Sequence, residues 1–321
     1  MPGSGALAES GGIVQTYLDC VPCFVRQALD SARHLTGSPE VHERLLREVL
    51  ALASTMSFDS PPPVMGRLIH RRLRELTGQA DPYEAAKRKA NEFALRLYPD
   101  LKHVVISSRD PFAAAVRFAI GGNVIDLGVK TGLTESDIRS AIREAIEGQV
   151  DPDAVAALRQ TAMPAGDILY LADNAGEIVF DRLLIEQMPP GSVTVVVKAG
   201  PIINDATRED AEAAGLADFV EVIDNGDDAP GTILDRCSPA FRKRFDAAEL
   251  IIAKGQGNYE TLNECGHRNL FFLLKVKCGV IARDLQCRLG EMAVRKHGVV
   301  SQSPLKRPGD DFDRLAEEAH S

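Results

Sequence analysis

Tryptophan is absent from the 321 residues, and aromatic side chains make up only 5%. The chain therefore offers little platform for stacking bases or sugar rings. Positive charge is also short: 37 Lys and Arg face 46 Asp and Glu, a formal balance of −9. That argues against a general binder of nucleic acid or of anionic membranes, which needs a basic surface to displace counterions. A small phosphorylated ligand needs only one local positive pocket and stays open. No apolar run approaches the ~20 residues of a membrane span. The opening MPGSGALAESGG has neither the basic start nor the apolar stretch of an export signal, and residues 1–15 read as a disordered lead-in. Cysteine is scarce as well. Cys20, Cys23, Cys237, Cys265, Cys278 and Cys287 read as reduced thiols of a cytoplasmic protein, not as a disulfide framework.

What is present is an ordinary globular composition, 45% hydrophobic and 26% charged, arranged in two periodicities. Over residues 16–157 the apolar positions recur at three- and four-residue spacing, as in VHERLLREVLALAST, VMGRLIHRRLRELTG and PYEAAKRKANEFALRLY. This predicts an all-α domain. Its breaks are expected at residues 37–39, 61–63 and 81–82 and at Pro99, where proline disfavours helix. From 158 to 300 the pattern becomes short, almost wholly apolar runs: 167–172 (DILYLA), 192–198 (SVTVVVK), 219–223 (FVEVI), 249–253 (ELIIA) and 270–275 (LFFLLK). Such runs suit strands buried on both faces of a parallel sheet. Helical patterns between them predict a Rossmann-like α/β/α sandwich with a mostly parallel sheet. Residues 301–321 read as a polar tail.

Three strands end in unusual polar loops: Asp173-Asn174-Ala175-Gly176-Glu177, residues 200–207 (GPIINDAT) and Lys254-Gly255-Gln256-Gly257-Asn258. In a doubly wound sheet, ligands sit beyond the carboxyl ends of the strands, so the three loops should share one rim. Asp173, Asp205 and the amide oxygen of Asn174 are hard oxygen donors for a divalent cation. Lys254 and the amides of its glycine-rich loop suit a phosphate. Each loop also has a plain structural reading, as a helix cap or a turn. It is the coincidence of three that points to a metal–anion site and to phosphate-ester chemistry.

At these loops the sequence resembles a known family. DNAGEIVFDRLLIE, PIINDAT followed by Glu209-Asp210, and KGQGNYETL are similar to signatures of the damage-control phosphatases, also known as domain of unknown function eighty-nine. GGNVIDLG (121–128), GDDAPGT (226–232) and LLKVKCGVIA (273–282) add to the match, and CVPCFVRQAL (20–29) resembles the mostly prokaryotic branch. The resemblance implies a helical domain on a Rossmann-like domain, with a metal-dependent phosphatase site between them. It further implies Mn²⁺, Co²⁺, Ni²⁺ or Mg²⁺ as cofactor, and small phosphorylated metabolites as substrates, including sugar phosphates and phosphopantetheine-type compounds. Carried onto this chain, the metal ligands fall on Asp173, Asn174 and Asp205, and the catalytic set on Asp173, Asp205 and Lys254. Lys254, Gly255 and Asn258 become phosphate contacts, with Asn204, Gln256 and Gly257 in the same loops. Glu177 becomes an acidic substrate contact. The eukaryotic branch's Arg-Thr-x-Lys element reads Leu274-Lys275-Val276-Lys277 here. Lys277 keeps the cation, but without the Arg the resemblance does not carry over that branch's sugar-phosphate preference.

Other residues stay open at this level. Cys20 and Cys23 start a helix and can serve structure or substrate, auxiliary metal binding with Cys278 or with Cys265 and His267, or redox chemistry. Asn123 and Asp126 can line the site or close a turn. His34, His70, His103 and His297 lie in charged contexts and read as surface residues. This leaves a carboxylate, Asp205 or Glu177, or water activated by the metal, as the base. Two other functions fit parts of the pattern: a non-catalytic sensor of phosphorylated metabolites, and a carboxyl methyltransferase. The intact Asp173, Asn174, Asp205 and Lys254 set argues against the first. The acidic loop where a methyltransferase has glycines argues against the second.

Overall fold

All five apolar runs form strands, in the computed structural model of the protein, which describes residues 15–122, 143 and 147–298. They are β1 (Ile168–Leu171), β2 (Val193–Val197), β3 (Glu221–Asp224), β4 (Leu250–Lys254) and β5 (Leu270–Lys275). A sixth strand that the periodicity did not reveal, β6 (Met292–Lys296), adds antiparallel to β5. The sheet order is β3-β2-β1-β4-β5-β6, and the first five strands pair in parallel. β1, β2 and β4 are buried at every position, as continuous apolar runs require. β3 lies at the edge and alternates between buried and open positions. The order reverses between β1 and β4, so the crevice of the topological switch lies at their carboxyl ends.

The helices are α1 (Cys20–Leu35), α2 (Pro39–Thr55), α3 (Pro62–Thr77), α4 (Glu84–Ser107), α5 (Pro111–Gly121) and α6 (Pro152–Ala162), followed by those of the sheet region. The latter are α7 (Glu177–Ile185), α8 (Arg208–Ala213), α9 (Pro239–Ala247), α10 (Gly255–Leu262) and α11 (Gly279–Leu285). Prolines start α2, α3, α5, α6 and α9, where a missing N–H costs nothing. The break expected at Pro99 does not occur. α4 runs through it because Tyr98, Leu101 and Val105 on either side are buried, and tertiary packing outweighs one lost backbone bond.

Three apolar cores form. One joins Phe24, Leu45, Met65, Ile69 and Leu73 of α1–α3. The second packs α4, α5, α6 and α7 on the sheet face that carries Ile168, Tyr170, Ile252 and Phe271. The third packs α9, α10 and α11 on the opposite face, with Leu169, Leu171, Ile251 and Phe272. Successive residues of β1 thus feed opposite cores, as the period of two dictates. The change of periodicity at 157/158 is a change of element type; the packing divides earlier, between α3 and α4.

The α1–α3 unit is tied to the sheet region through a charged clamp. Arg67, Arg71 and Arg74 of α3 converge on Asp228 at 3.0, 2.6 and 2.5 Å, and Arg67 also meets Asp227 at 3.1 Å. Asp19, at the start of α1, pairs with Arg283 of α11 at 3.0 Å. Between the unit and the sheet lies a cleft of about 630 Å³. Among the described residues, no helix is long and apolar enough to cross a membrane.

Candidate active site

The ends of β1, β2 and β4 supply the floor of that cleft. Asp173 follows β1, and its backbone carbonyl accepts from the Ala206 N–H at 2.8 Å. Asn174 and Asp205 are bridged as isolated antiparallel partners, and the Ala175 N–H donates to the Asn204 carbonyl at 2.9 Å. The first two loops are thereby zipped together, which brings Asp173, Asn174, Asn204 and Asp205 onto one surface of the cleft. Gly255 packs directly over Asp173: a Cβ at Gly255 would overlap the Asp173 carboxylate, and its φ of +78° is one that glycine supplies readily.

α4 holds this arrangement from behind, through residues that the sequence reading did not single out. Asn91 Oδ1 accepts from the Gly176 N–H at 2.6 Å, and its Nδ2 donates to Asp210 Oδ1 at 2.8 Å. Lys87 donates to the other Asp210 oxygen at 3.0 Å and pairs with Asp81 at 2.8 Å. Asp210 in turn forms a capping box with Thr207 at the start of α8. One turn of α4 therefore fixes the Asp173 loop and the Asp205 loop relative to each other. The signal in the sequence was a Lys and an Asn four apart on an otherwise apolar helix face.

Asn174 Nδ2 donates to Asp173 Oδ2 at 3.0 Å and to Glu177 Oε2 at 3.2 Å. With the amide nitrogen committed, Oδ1 is the atom Asn174 can offer to a cation. Glu177 is buried, and Lys254 Nζ reaches its Oε1 at 2.7 Å. Lys254 is fully buried and also donates to Asp181 Oδ1 and the Ala119 carbonyl, both at 2.6 Å. This corrects the expectation that Lys254 faces a substrate phosphate. Its three donors are used beneath the carboxylates, because as the last residue of β4 it points into the sheet-side core. Asn258 is likewise buried, receiving the Thr232 hydroxyl at 2.8 Å and donating to the Lys254 carbonyl at 2.8 Å. Gln256 and Gly257 do line the cleft, together with exposed Lys277. Gln256 Nε2 donates to Glu260 at 2.8 Å.

Lys198, which directly follows β2, is buried 3.6 Å from Asp205 Oδ2 and donates to the Gly231 carbonyl. His70 is buried, not superficial, because its ring packs near Tyr83 at 5.9 Å. Asn123 and Asp126 lie outside the described residues. Cys20, Cys23 and Cys278 share the cleft, and no group of three or more His, Cys, Asp or Glu placed to hold a metal occurs among the described residues.

The electrostatics decide what the floor can hold. Four carboxylates (Asp173, Glu177, Asp181 and Asp205) face two buried ammonium groups, Lys198 and Lys254. Burial, and then the charges of Glu177 and Asp205, hold the Asp173 carboxyl well above the usual carboxylate range, with Lys277 and Lys254 offsetting part of this. Burial raises Asp181 to about 6 against the pull of Lys254. Burial alone would lower Lys254, but Asp181 and Glu177 hold it above its ordinary value, so it stays charged. Asp173 and Asp205 are the two of these carboxyl groups that line the cleft, and a bound cation would favour the ionised form of Asp173. Asp173, Asp205 and the Asn174 amide oxygen are hard oxygen donors on one surface of the cleft, and the residues present are suited to hold a divalent cation. Burial also pushes Glu260, on the same cleft, up to about 7.

Comparison with known proteins identifies the family. The model of the damage-control phosphatase ARMT1-like domain matches residues 16–293. A damage-control phosphatase of Archaeoglobus fulgidus is 33% identical, over 86% of this chain and 97% of its own. One of Pyrococcus horikoshii is 34% identical, over 88% of this chain and 99% of its own. The crystal structure of a DUF89 family protein from P. horikoshii superposes with a TM-score of 0.80 at 32% identity, covering 88% of this chain and 99% of that one. The chain belongs to the ARMT1-like damage-control phosphatase family, and its fold is the α/β fold of that family.

Proposed function

We propose that the protein is a divalent-metal-dependent phosphatase that hydrolyses monoesters of small phosphorylated metabolites in the cytoplasm, with Asp173, Asn174 and Asp205 as metal ligands. The observation that carries this reading is the bridging of the Asp173-Asn174 and Asp205 loops into one floor of a cleft whose wall carries exposed Lys277. Mn²⁺, Co²⁺, Ni²⁺ and Mg²⁺ are the cofactors expected. When bound, the ion supplies Lewis acidity toward the phosphoryl oxygens and lowers the cost of bringing an anion to a carboxylate floor.

The chain's own residues divide the remaining work. Lys277 and the Gln256–Gly257 backbone meet the phosphate from the cleft wall. Lys254 acts from beneath: its ammonium fixes Glu177, which through Asn174 sets the angle at which Asp173 and Asn174 present their oxygens. Asp205 is held by the zipped loops and by Lys198. Asn204 stands at the edge of the cleft, where the esterified part of the substrate leaves the phosphate. In-line attack comes from water or from Asp173 itself. An aspartyl-phosphate trapped during turnover separates the two.

Release of phosphate from an aryl phosphate, measured with and without Mn²⁺, Co²⁺ or Ni²⁺, tests the proposal. Metal-stimulated release that falls at least a hundredfold in Asp173→Ala is expected. No metal-stimulated release, or full activity in that variant, overturns it.

A further inference from the structure

The cleft is not the end of the concave surface. A second pocket of about 520 Å³ lies between α1 and α4, and it shares Gln27, Ile203 and Asn204 with the cleft that holds Asp173 and Asp205. Ala175, next to the candidate ligand Asn174, lies on its inner wall. Ile203 stands at the neck with φ +45°, a conformation disfavoured for a β-branched residue. Such strain is retained where the surrounding structure needs the chain in that position.

One helix lines both spaces. Cys20 and Cys23, in the first turn of α1, border the cleft; Gln27 stands at the neck; Asp30, Arg33 and His34, in the last turns, border the second pocket. At 1.5 Å per residue, Gln27 to His34 spans about 10 Å along the axis. The walls of the second pocket are more apolar than polar, with Ala86, Ala90 and Ile203 contributing. Its outer end carries Arg33 and His34, the latter stacked on Tyr83 with ring centroids 5.7 Å apart. Lys87, on the same pocket, is committed to Asp81 and Asp210, which leaves the Arg33 guanidinium and the His34 ring of α1 to meet a ligand.

Resting on the phosphatase reading for the position of the phosphate, we propose that the α1–α4 pocket is the leaving-group subsite. It takes an elongated alcohol with an apolar middle and an anionic terminus, which Arg33 and His34 recognise. A compact sugar phosphate held at the Asp173 floor stops at the neck. An ester whose chain extends about 10 Å past Asn204 reaches Arg33, which supplies a charge-assisted hydrogen bond, and the His34 ring beside it. Asp30, on the same rim, selects against a second acidic group placed midway.

Non-hydrolysable phosphonates separate this inference from the question of catalysis. Calorimetric titration of the Mn²⁺-loaded protein uses straight-chain alkylphosphonates of increasing length, ending either in a carboxylate or in a methyl group. Affinity should rise with length in both series. The carboxylate series should gain about tenfold more, once the chain reaches α1's last turns. That extra gain should vanish in the Arg33→Ala/His34→Ala variant, whose replaced side chains are exposed; an unchanged melting temperature checks that losing the stack on Tyr83 leaves the fold intact. Affinity that is flat with length, equal for both termini, absent in all members, or unaltered in its carboxylate preference by the double variant overturns the subsite. Phosphonate binding without hydrolysis of the matching phosphates overturns the phosphatase reading and leaves the subsite standing. Hydrolysis without length dependence does the reverse.

Discussion

Gly255 shows how far a single atom reaches at the residue scale. Its backbone lies against the Asp173 carboxylate, with φ +78°. A methyl group there must displace Asp173 or unwind the first turn of α10. Gly255→Ala should therefore abolish metal-dependent turnover and destabilise the fold by about 1–3 kcal/mol; activity and denaturant titrations measure the two effects. Lys254 makes a different point. It is fully buried against Glu177 and Asp181, so Lys254→Met leaves two carboxylates uncompensated in the core. A loss of about 3–5 kcal/mol is expected, read as a lowered urea midpoint, together with lost activity. The sequence points to this lysine as a chemical group of the third loop and not to the carboxylates it meets. Being last in a strand does not reveal on which side of the sheet the ammonium emerges.

Elements are joined by polar groups that the apolar periodicity does not register. Asp228, in the loop between β3 and α9, meets three arginines spaced along α3. Burial alone would raise its carboxyl, but the hydrogen bond from Arg71, the charges of Arg71 and Arg67, and the bond from Arg74 bring it down to about 2, from an ordinary 3.8. A depressed carboxylate stabilises the fold fully above its unfolded value and loses that contribution as pH falls toward the folded value. The clamp's contribution of about 1 kcal/mol, after allowance for solvent screening, is thus present above about pH 4 and gone near pH 2. Thermal melts of the protein and of Asp228→Asn should differ most above pH 4 and converge toward pH 2. A difference that does not depend on pH counts against the assignment. The helices themselves were readable from apolar spacing. The passage of α4 through Pro99 and the addition of β6 were not, because each is decided by what the segment packs against.

At the scale of the whole molecule, α1–α3 form a core of their own, and the cleft lies between that unit and the sheet region, with the arginines of α3 on Asp227 and Asp228 holding the two together. A cation bound on the Asp173 and Asp205 floor favours the folded state in proportion to its occupancy. Mn²⁺ at a hundred times its dissociation constant should add about 2.7 kcal/mol of stability, visible as a raised melting temperature, and Asp205→Asn should lose most of that rise. The sequence by itself determined the two periodicities, hence the helical first half and the buried parallel strands, and it determined which loops carry oxygen donors at strand ends. These follow from local patterns of burial and from the chemistry of single side chains. Only the tertiary structure decided that Lys254 and Asn258 lie under the floor while Lys277 stands on the cleft. It alone decided that Asn91 and Lys87 fix the two acidic loops, and that a second pocket continues along α1. Those outcomes depend on which side of the sheet a residue leaves and what packs there, and no local pattern in the chain encodes contacts between segments a hundred residues apart.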